Sequence, residues 1–173
     1  MIYTFHYDSP LGSITMAGSE TALKGIWFDG QKYFGSTLSE GCEEKFVPIF
    51  EQTVFWLDTY FSGKNPGFTP PVSIEATEFR KAVWEILLTI PYGKTMTYGE
   101  IADRIAAGRE DRRMSARAVG GAVSHNPVSL VIPCHRVVGT NGSLTGYAGG
   151  IERKLRLLEL EKTDFSSFFV PKR

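Results

Sequence analysis

Hydrophobic and polar positions in the first half of the chain follow two different periods. Short apolar segments rich in β-branched and aromatic residues, separated by turns at 9–12 and 18–21, predict three strands at 3–7, 12–17 and 23–28. From Phe46 to Phe61 the apolar residues instead recur every three or four positions, which predicts an amphipathic helix that stops at Gly63. The first half is therefore predicted to be a small α/β unit.

Helical spacing dominates after a stretch rich in proline and glycine at 63–71. Apolar residues between Phe79 and Ile90 predict one helix, and Thr97 followed by Glu100 has the capping-box form that opens a second. Ser115 can cap a third short helix. The last two helices, with a polar turn between them, predict a helix-turn-helix, although many small helical domains contain such pairs.

These patterns predict an α+β fold with two domains. The first is an α/β scaffold at residues 1–70, residues 71–76 end the linker, and residues 77–173 form a mainly helical domain with a helix-turn-helix, of the plain or winged type. The chain has 173 residues, 42% of them hydrophobic, which is enough for a packed interior.

Charge is divided unequally although the net charge is zero. Residues 1–75 carry four Lys and Arg against nine Asp and Glu, a net of −5, and residues 76–173 carry 15 against ten, a net of +5. The positive half could meet an anion such as nucleic acid, or the asymmetry could reflect solvated surface charge. Charge alone leaves both interpretations open.

Cys134 is the first candidate for chemistry, since it lies beside His135 and Arg136 in an apolar run. A thiol reacts as thiolate, a form that neighbouring cations or a paired histidine favour. An inert core cysteine fits the same run equally well, and adjacent residues of a strand point to opposite faces. By contrast, Cys42 lies among glutamates, which disfavour thiolate.

The segment 116–122 is unusual because its residues are small except for Arg117. A helix with so little bulk could approach a nucleic-acid groove closely, or its glycines and alanines could permit tight packing in the core. The turn from Ala107 to Met114 adds three arginines and two acidic residues, which either contact phosphates or form a solvated loop. Composition does not separate these alternatives.

Several motifs in order identify a resemblance. The run Ile132-Pro133-Cys134-His135-Arg136-Val137, with Asn126-Pro127 before it and Gly146-Tyr147-Ala148-Gly149-Gly150 after it, closely resembles the O6-alkylguanine-DNA alkyltransferase family. The resemblance extends from Phe79 to Glu161, while the first half matches only in general character a ribonuclease-H-like α/β domain.

The resemblance implies a stoichiometric and irreversible transfer of an alkyl group from O6 of guanine to Cys134. His135 would act as base through a water molecule, and Glu161 would orient its imidazole. Asn126 would hold the active-site segment by hydrogen bonds. Tyr98 would donate to the departing guanine.

The resemblance also implies recognition of double-stranded DNA in which the damaged nucleotide is flipped out. Arg117 would fill the vacated space from a helix in the minor groove. The other implied DNA-binding and base-binding positions are Ala116, Ala118, Gly120, Val123, Val137, Tyr147 and Ala148, with backbone oxygens of Cys134 and Val137 reading the base. O4-alkylthymine would be a weaker substrate.

We expect no cofactor and no metal, because the three histidines and two cysteines lack ligand spacing. No leader and no membrane-spanning run is apparent, and two cysteines are too few for a disulfide framework, so we expect a cytoplasmic protein that does not bind membranes. We also expect a monomer. A lesion-binding relative that lacks the cysteine, a regulator that reports alkylation, and a Cys-His-Glu hydrolase are the competing hypotheses. Cys134 argues against the first, no effector domain is visible for the second, and no oxyanion hole is evident for the third.

Overall fold

The computed structural model describes residues 1–171, and its chain forms two compact units. The first unit contains Met1–Glu75 together with Pro127–Val131, and the second contains Ala76–Asn126 together with the chain from Ile132 onward. The predicted α+β class, with a sheet domain followed by a helical domain, is confirmed.

The first unit is a four-stranded sheet with one long helix. Strands β1 (Tyr3–Ser9), β2 (Gly12–Gly18) and β3 (Leu23–Phe28) pair antiparallel, and β4 (Glu43–Glu44) pairs parallel to β1, giving the order β3-β2-β1-β4. Helix α1 (Pro48–Phe61) packs on β1 and β2. The three strands and the helix were predicted. β4 was not, because two exposed glutamates carry no strand signal.

The edge of β3 explains why residues 127–131 lie in the first unit and not, as predicted, in the C-terminal domain. The backbone N–H of Ile26 donates to the carbonyl of Pro127 (2.8 Å), and the N–H of Ser129 donates to the carbonyl of Ile26 (3.0 Å). Leu23 forms a similar pair of bonds with Pro71 and Ser73 (2.8 and 2.9 Å). Both segments satisfy backbone groups of an edge strand, a long-range pairing that local sequence does not reveal.

The second unit consists of four helices and a small parallel pair of strands. Its elements are α2 (Glu78–Leu87), β5 (Met96–Thr97), α3 (Tyr98–Ala107), α4 (Ala116–Ser124), β6 (Val137–Val138) and α5 (Ile151–Leu160). The side chains of Thr77, Thr97 and Ser115 cap α2, α3 and α4 by accepting a backbone N–H. Helices α2, α3 and α4 pack together, and the indole of Trp84 donates to the carbonyl of Ala122 (2.9 Å).

Between α4 and β6 the chain forms a single 3-10 turn at Cys134–Arg136. Successive residues of a 3-10 helix point about 120° apart, because it has three residues per turn. Cys134, His135 and Arg136 therefore have three separate directions and can reach three different sets of partners. Among residues 1–171, no helix is long and apolar enough to cross a membrane.

Candidate active site

Cys134 is the first residue of the 3-10 turn, and only 5% of it is exposed. Its N–H donates to the carbonyl of Ile132 (2.8 Å), and its carbonyl accepts the N–H of Val137. Asn126 lies beside this segment, and its side-chain amide donates to the same Ile132 carbonyl (2.8 Å). The backbone around the thiol is therefore fixed on both sides.

Burial raises the pKa of the Cys134 thiol above its ordinary value. A side-chain hydrogen bond with Asn126 and the positive charge of Lys154 oppose this rise without cancelling it. The thiol is consequently protonated at neutral pH. The cation that acts on it is Lys154 and not the adjacent Arg136, whose guanidinium turns elsewhere.

The next residue, His135, is fully buried and bonded to Glu161. Its Nε2 lies 2.5 Å from Oε2 of Glu161. Burial lowers the pKa of the imidazole, and the carboxylate only partly offsets this effect. His135 is therefore neutral at pH 7. Since a carboxylate can only accept, Nε2 carries the proton and Nδ1 is the basic nitrogen.

Glu161 is held by three donors in a buried position. Oε1 accepts from Nε of Arg136 (2.8 Å) and from the backbone N–H of Gly93 (3.0 Å), while Oε2 faces His135. Burial by itself raises the pKa of this carboxyl, but the hydrogen bonds and charges of His135 and Arg136 outweigh it and lower the pKa to about 2. Glu161 also ends helix α5, where a negative charge is disfavoured by the helix dipole. These donors keep it ionised there.

Arg136 connects this carboxylate to the rest of the unit. Its Nη1 donates to the carbonyl of Ile90 (2.8 Å), and its guanidinium lies over the ring of Tyr92, 5.7 Å from the centroid. A planar guanidinium can bind two separate acceptors at once, because its donors point in fixed and different directions. Arg136 thus positions Glu161, and through Glu161 the imidazole.

Lys154 projects from α5 into the unit and is fully buried. Its Nζ donates to the carbonyls of Val137 (2.5 Å) and Thr145 (2.8 Å). Burial lowers the pKa of this amine to about 8, and the negative charge that Cys134 can carry raises it in part. Lys154 thus places a cation near the thiol.

Two tyrosines complete the surroundings of the thiol. The hydroxyl of Tyr98 donates to the carbonyl of Thr145 (3.4 Å), and burial, followed by the charge of Cys134, raises its pKa to about 12. The hydroxyl oxygen of Tyr147 is buried and has no hydrogen-bond partner within residues 1–171. Its ring meets that of His135 edge-on at 6.4 Å between centroids. Both hydroxyls remain protonated donors at physiological pH.

The glycines around Tyr147 are required by close contacts. Gly146 has φ +80°, and a Cβ there would lie 2.9 Å from the Tyr98 hydroxyl. A Cβ on Gly149 would lie 2.6 Å from the Tyr147 ring. These two positions bring the tyrosines close to the backbone of the turn, which a side chain would prevent.

Helix α4 presents its small residues outward. Val119, Ala122 and Val123 are buried, whereas the exposed face consists of Ala116, Arg117, Ala118 and Gly121. A Cβ added to Gly121 would meet nothing within 4 Å, and one on Gly120 would make only an ordinary 3.9 Å contact with Tyr98. Tight internal packing therefore does not account for these two glycines. Arg117 forms no hydrogen bond or ion pair in the described part of the chain.

The structure places the implied site residues in two groups. Cys134, His135, Glu161, Asn126, Tyr98 and Tyr147 form one cluster around the thiol, called the pocket below, whereas Ala116, Arg117 and Ala118 lie on the exposed face of α4. Val123 and Val137 are buried, and Ala148 is half-buried. The carbonyls of Cys134 and Val137 each accept one internal hydrogen bond and keep a second lone pair.

Sequence reasoning missed Lys154, and it linked Arg136 to the thiol when its partner is Glu161. Lys154 lies three and four positions before Leu157 and Leu158, on the apolar face of α5. A lysine at a core position of an amphipathic helix was the available signal. For Arg136 no signal existed, because its partner Glu161 is 25 residues away. Within residues 1–171 no cluster of three or more His, Cys, Asp or Glu side chains could hold a metal ion.

Comparison with known proteins identifies both units. Residues 78–163 match the model of the 6-O-methylguanine DNA methyltransferase DNA-binding domain, and residues 1–74 match the ribonuclease-like domain of the same family. The methylated-DNA–protein-cysteine methyltransferase of Mycobacterium tuberculosis is 43% identical over 166 residues, 94% of each chain. The inducible enzyme of that name from Bacillus subtilis is 38% identical, over 98% of this chain and 90% of its own.

Solved structures agree with the sequence comparison. The crystal structure of Mycobacterium tuberculosis O6-methylguanine methyltransferase is similar with a TM-score of 0.80 at 43% identity, covering 94% of this chain and 93% of the other. A crystal structure of the Mycobacterium tuberculosis protein in complex with DNA gives a TM-score of 0.79 at 43% identity, over 93% and 92% of the chains.

Proposed function

The chain belongs to the 6-O-methylguanine DNA methyltransferase family, and from this membership we propose that it repairs O6-alkylguanine in duplex DNA by moving the alkyl group to Cys134. The observation that carries the proposal is a set of three buried side chains, Cys134, His135 and Glu161, in which Glu161 orients the imidazole. Asn126 makes a hydrogen bond with the thiol. A protonated thiol beside a neutral, oriented imidazole suits a nucleophile that is activated only when its base accepts the proton.

In the proposed step the Sγ–C bond forms as the bond between the alkyl carbon and O6 of guanine breaks. The thiol proton passes through a water molecule to Nδ1 of His135, because Nε2 is engaged by Glu161. Guanine departs as an anion that accepts a hydrogen bond from the Tyr98 hydroxyl, and it then takes a proton from water while the imidazolium returns one to water. Ionised Glu161 stabilises the imidazolium that results.

The product is a thioether on Cys134, which water does not hydrolyse under these conditions. We infer a single turnover for each molecule. A free thiol is therefore the active form, and both cysteines are free in the structure. This requirement suits a reducing compartment such as the cytoplasm, and a monomer suffices because every group named here comes from one chain.

DNA recognition is proposed for the exposed face of α4. Removing the damaged nucleotide from the stack costs a few kcal/mol, which contacts of the protein must offset. Arg117 is exposed and has no internal partner among residues 1–171, so it is available to fill the vacated space. Its small neighbours allow the helix to approach the minor groove closely, where readout is largely insensitive to sequence. We infer weaker transfer from O4-alkylthymine.

The base itself is proposed to lie in the pocket bounded by Tyr147, Val123 and the turn at Cys134. The buried Tyr147 hydroxyl supports this placement, since a buried donor without a partner is costly unless a ligand satisfies it. The backbone N–H of Ala148 and the carbonyls of Cys134 and Val137 are the proposed contacts to the polar edge of the base. A side chain at position 148 is not needed for a backbone contact.

The test is direct. The protein is incubated with duplex DNA that carries O6-methylguanine, and the tryptic peptide 118–136, which contains Cys134, is analysed by mass spectrometry. One methyl group on this peptide for each lesion removed is the expected result. Cys134→Ser should bind DNA and transfer nothing, while Cys42→Ser, a matched control outside the pocket, should transfer normally. An unmodified peptide with intact lesions would contradict the proposal.

The same measurement separates the competing hypotheses. A lesion-binding protein would hold the duplex without changing either the DNA or Cys134. A Cys-His-Glu hydrolase would release the alkyl group as an alcohol and continue beyond one equivalent. Transfer that stops at one equivalent, with the label on Cys134, excludes both the lesion-binding protein and the hydrolase.

A further inference from the structure

The turn between α3 and α4 spans residues 108–115, and seven of these eight residues are exposed. Its Arg112 has φ +52°, a left-handed conformation that glycine, asparagine and aspartate adopt far more readily than arginine. The Arg112 side chain makes no hydrogen bond or ion pair within residues 1–171 that would account for this residue type. The conformation directs an arginine outward at a position where other residues would fit more easily.

The acidic residues of the turn do not neutralise all three of its arginines. Asp111 lies 3.7 Å from Nε of Arg109 and also accepts the backbone N–H of Arg113 (3.1 Å). The side chains of Arg112 and Arg113, by contrast, have no carboxylate partner in the described part of the chain. Glu110 is exposed and equally without an ion pair there. Two of the guanidinium groups are thus available to an external anion.

These two arginines line an open depression of about 640 Å³. The residues that surround it are Asp103, Ala106, Arg112, Arg113, Met114 and Ser115. Ser115 is also the N-cap of α4, whose first turn carries no acidic residue. The depression therefore lies directly at the end of the helix whose exposed face carries Arg117, and it is continuous with that face along the chain.

We propose that this depression binds backbone phosphates of duplex DNA outside the lesion pocket, with Arg112 and Arg113 as the contacting side chains. The proposal rests on the proposed function, because it takes duplex DNA as the partner of α4. A guanidinium group presents a fork of donors that matches two phosphate oxygens. Such contacts carry no sequence information, so they would strengthen binding at any site of damage.

The experiment measures the affinity for undamaged duplex DNA as a function of salt concentration. In the double variant Arg112→Asn/Arg113→Gln, asparagine preserves the left-handed conformation while both charges are removed. We expect the affinity to fall about tenfold, and the slope of log K against log salt to fall by about one for each phosphate that is no longer neutralised. The matched control Lys81→Gln/Arg156→Gln removes the same charge from exposed positions on α2 and α5 and should leave the slope unchanged.

Three outcomes are informative. A reduced slope in the turn variant alone supports the phosphate site. An unchanged slope, or an equal reduction in both double variants, overturns it, since net charge alone would then explain the effect. Failure of the unaltered protein to bind duplex DNA overturns both this proposal and the proposed function, while normal methyl transfer to Cys134 with no effect in the turn variant overturns only this one. Thermal unfolding of each variant shows that the fold is intact.

Discussion

The pocket around Cys134 and the exposed face of α4 differ in whether their charged side chains have partners within the protein. In the pocket, Arg136, Lys154 and Glu161 bind one another or backbone groups at 2.5–3.0 Å. On α4, Arg117 has no such partner within residues 1–171. The groups of the pocket are therefore arranged before any substrate arrives, whereas Arg117, on the proposed recognition surface, would gain its partner only from DNA. Groups that are already oriented need not reorganise during the reaction, and this preorganisation is a main source of rate enhancement in enzymes.

Replacing Glu161 should have the largest effect, because it removes the charge that organises the pocket. In Glu161→Gln we expect alkyl transfer to slow by about 10²-fold or more, the scale of a misaligned general base. The free energy of unfolding should also fall by about 3 kcal/mol, since Arg136 stays buried without a counter-charge. Single-turnover rates and urea unfolding measure the two effects. The matched control is Glu159→Gln on the exposed side of α5.

The same variant should change how stability depends on pH. The folded-state pKa of Glu161 is about 2, below the ordinary 4.5. The unfolded chain therefore binds the proton more readily, and the stabilisation is present above pH 4.5 and is lost as the pH falls toward 2. Glu161→Gln should lack this part of the acid dependence. Equal rates and equal acid profiles in both variants of α5 would show that Glu161 does not organise the site.

The pH dependence of transfer should be the next largest effect. Burial lowers the pKa of His135, so the basic form dominates at neutral pH and the rate should be flat there. The rate should stay flat through the ordinary imidazole value of about 6.5 and fall only at lower pH, approaching tenfold per pH unit once the pH is below the pKa of His135. Single-turnover rates across this range provide the measurement. A rate that instead rises tenfold per unit above neutrality would mean that solvent, not His135, removes the thiol proton.

Replacing Arg117 should affect duplex DNA and leave the pocket intact. Because flipping costs a few kcal/mol, we expect Arg117→Ala to slow repair of a duplex about tenfold or more, with little effect on transfer from the free base O6-methylguanine. Arg156→Ala, an exposed arginine of α5, is the control. Equal slowing with both substrates would place Arg117 in the chemistry and remove the contrast between the two regions.

The smallest effect is expected for Gly121→Ala, and it should have opposite signs for stability and binding. A Cβ at this position meets nothing within 4 Å, and alanine favours a helix over glycine by about 0.5–1 kcal/mol, so the variant should be slightly more stable. Duplex affinity should nevertheless fall several-fold if DNA approaches this face closely. Thermal unfolding and equilibrium binding measure the two quantities. Unchanged affinity would mean that DNA does not contact Gly121.

Local sequence predicted the elements better than it predicted the site. The capped helices were found because Thr97 and Ser115 satisfy backbone groups three residues away, a purely local interaction. The run around Cys134 was harder, since its β-branched residues suit a strand while the structure forms a 3-10 turn there. The 3-10 turn makes the thiol, the imidazole and the Arg136 guanidinium point in three different directions, although the three residues are neighbours in the chain.

What the sequence determined by itself is the set of reactive groups and their order along the chain. The motif residues and the capped helices depend on local chemistry that no distant contact alters, whereas the fold decided that the small residues of α4 face outward. Only the tertiary structure decided which protonation states these groups have. Burial raises the pKa of Cys134 and lowers that of His135, while Arg136 and Gly93 keep Glu161 charged from positions 25 and 68 residues away. A charge depends on its surroundings in space, and those are set by the fold.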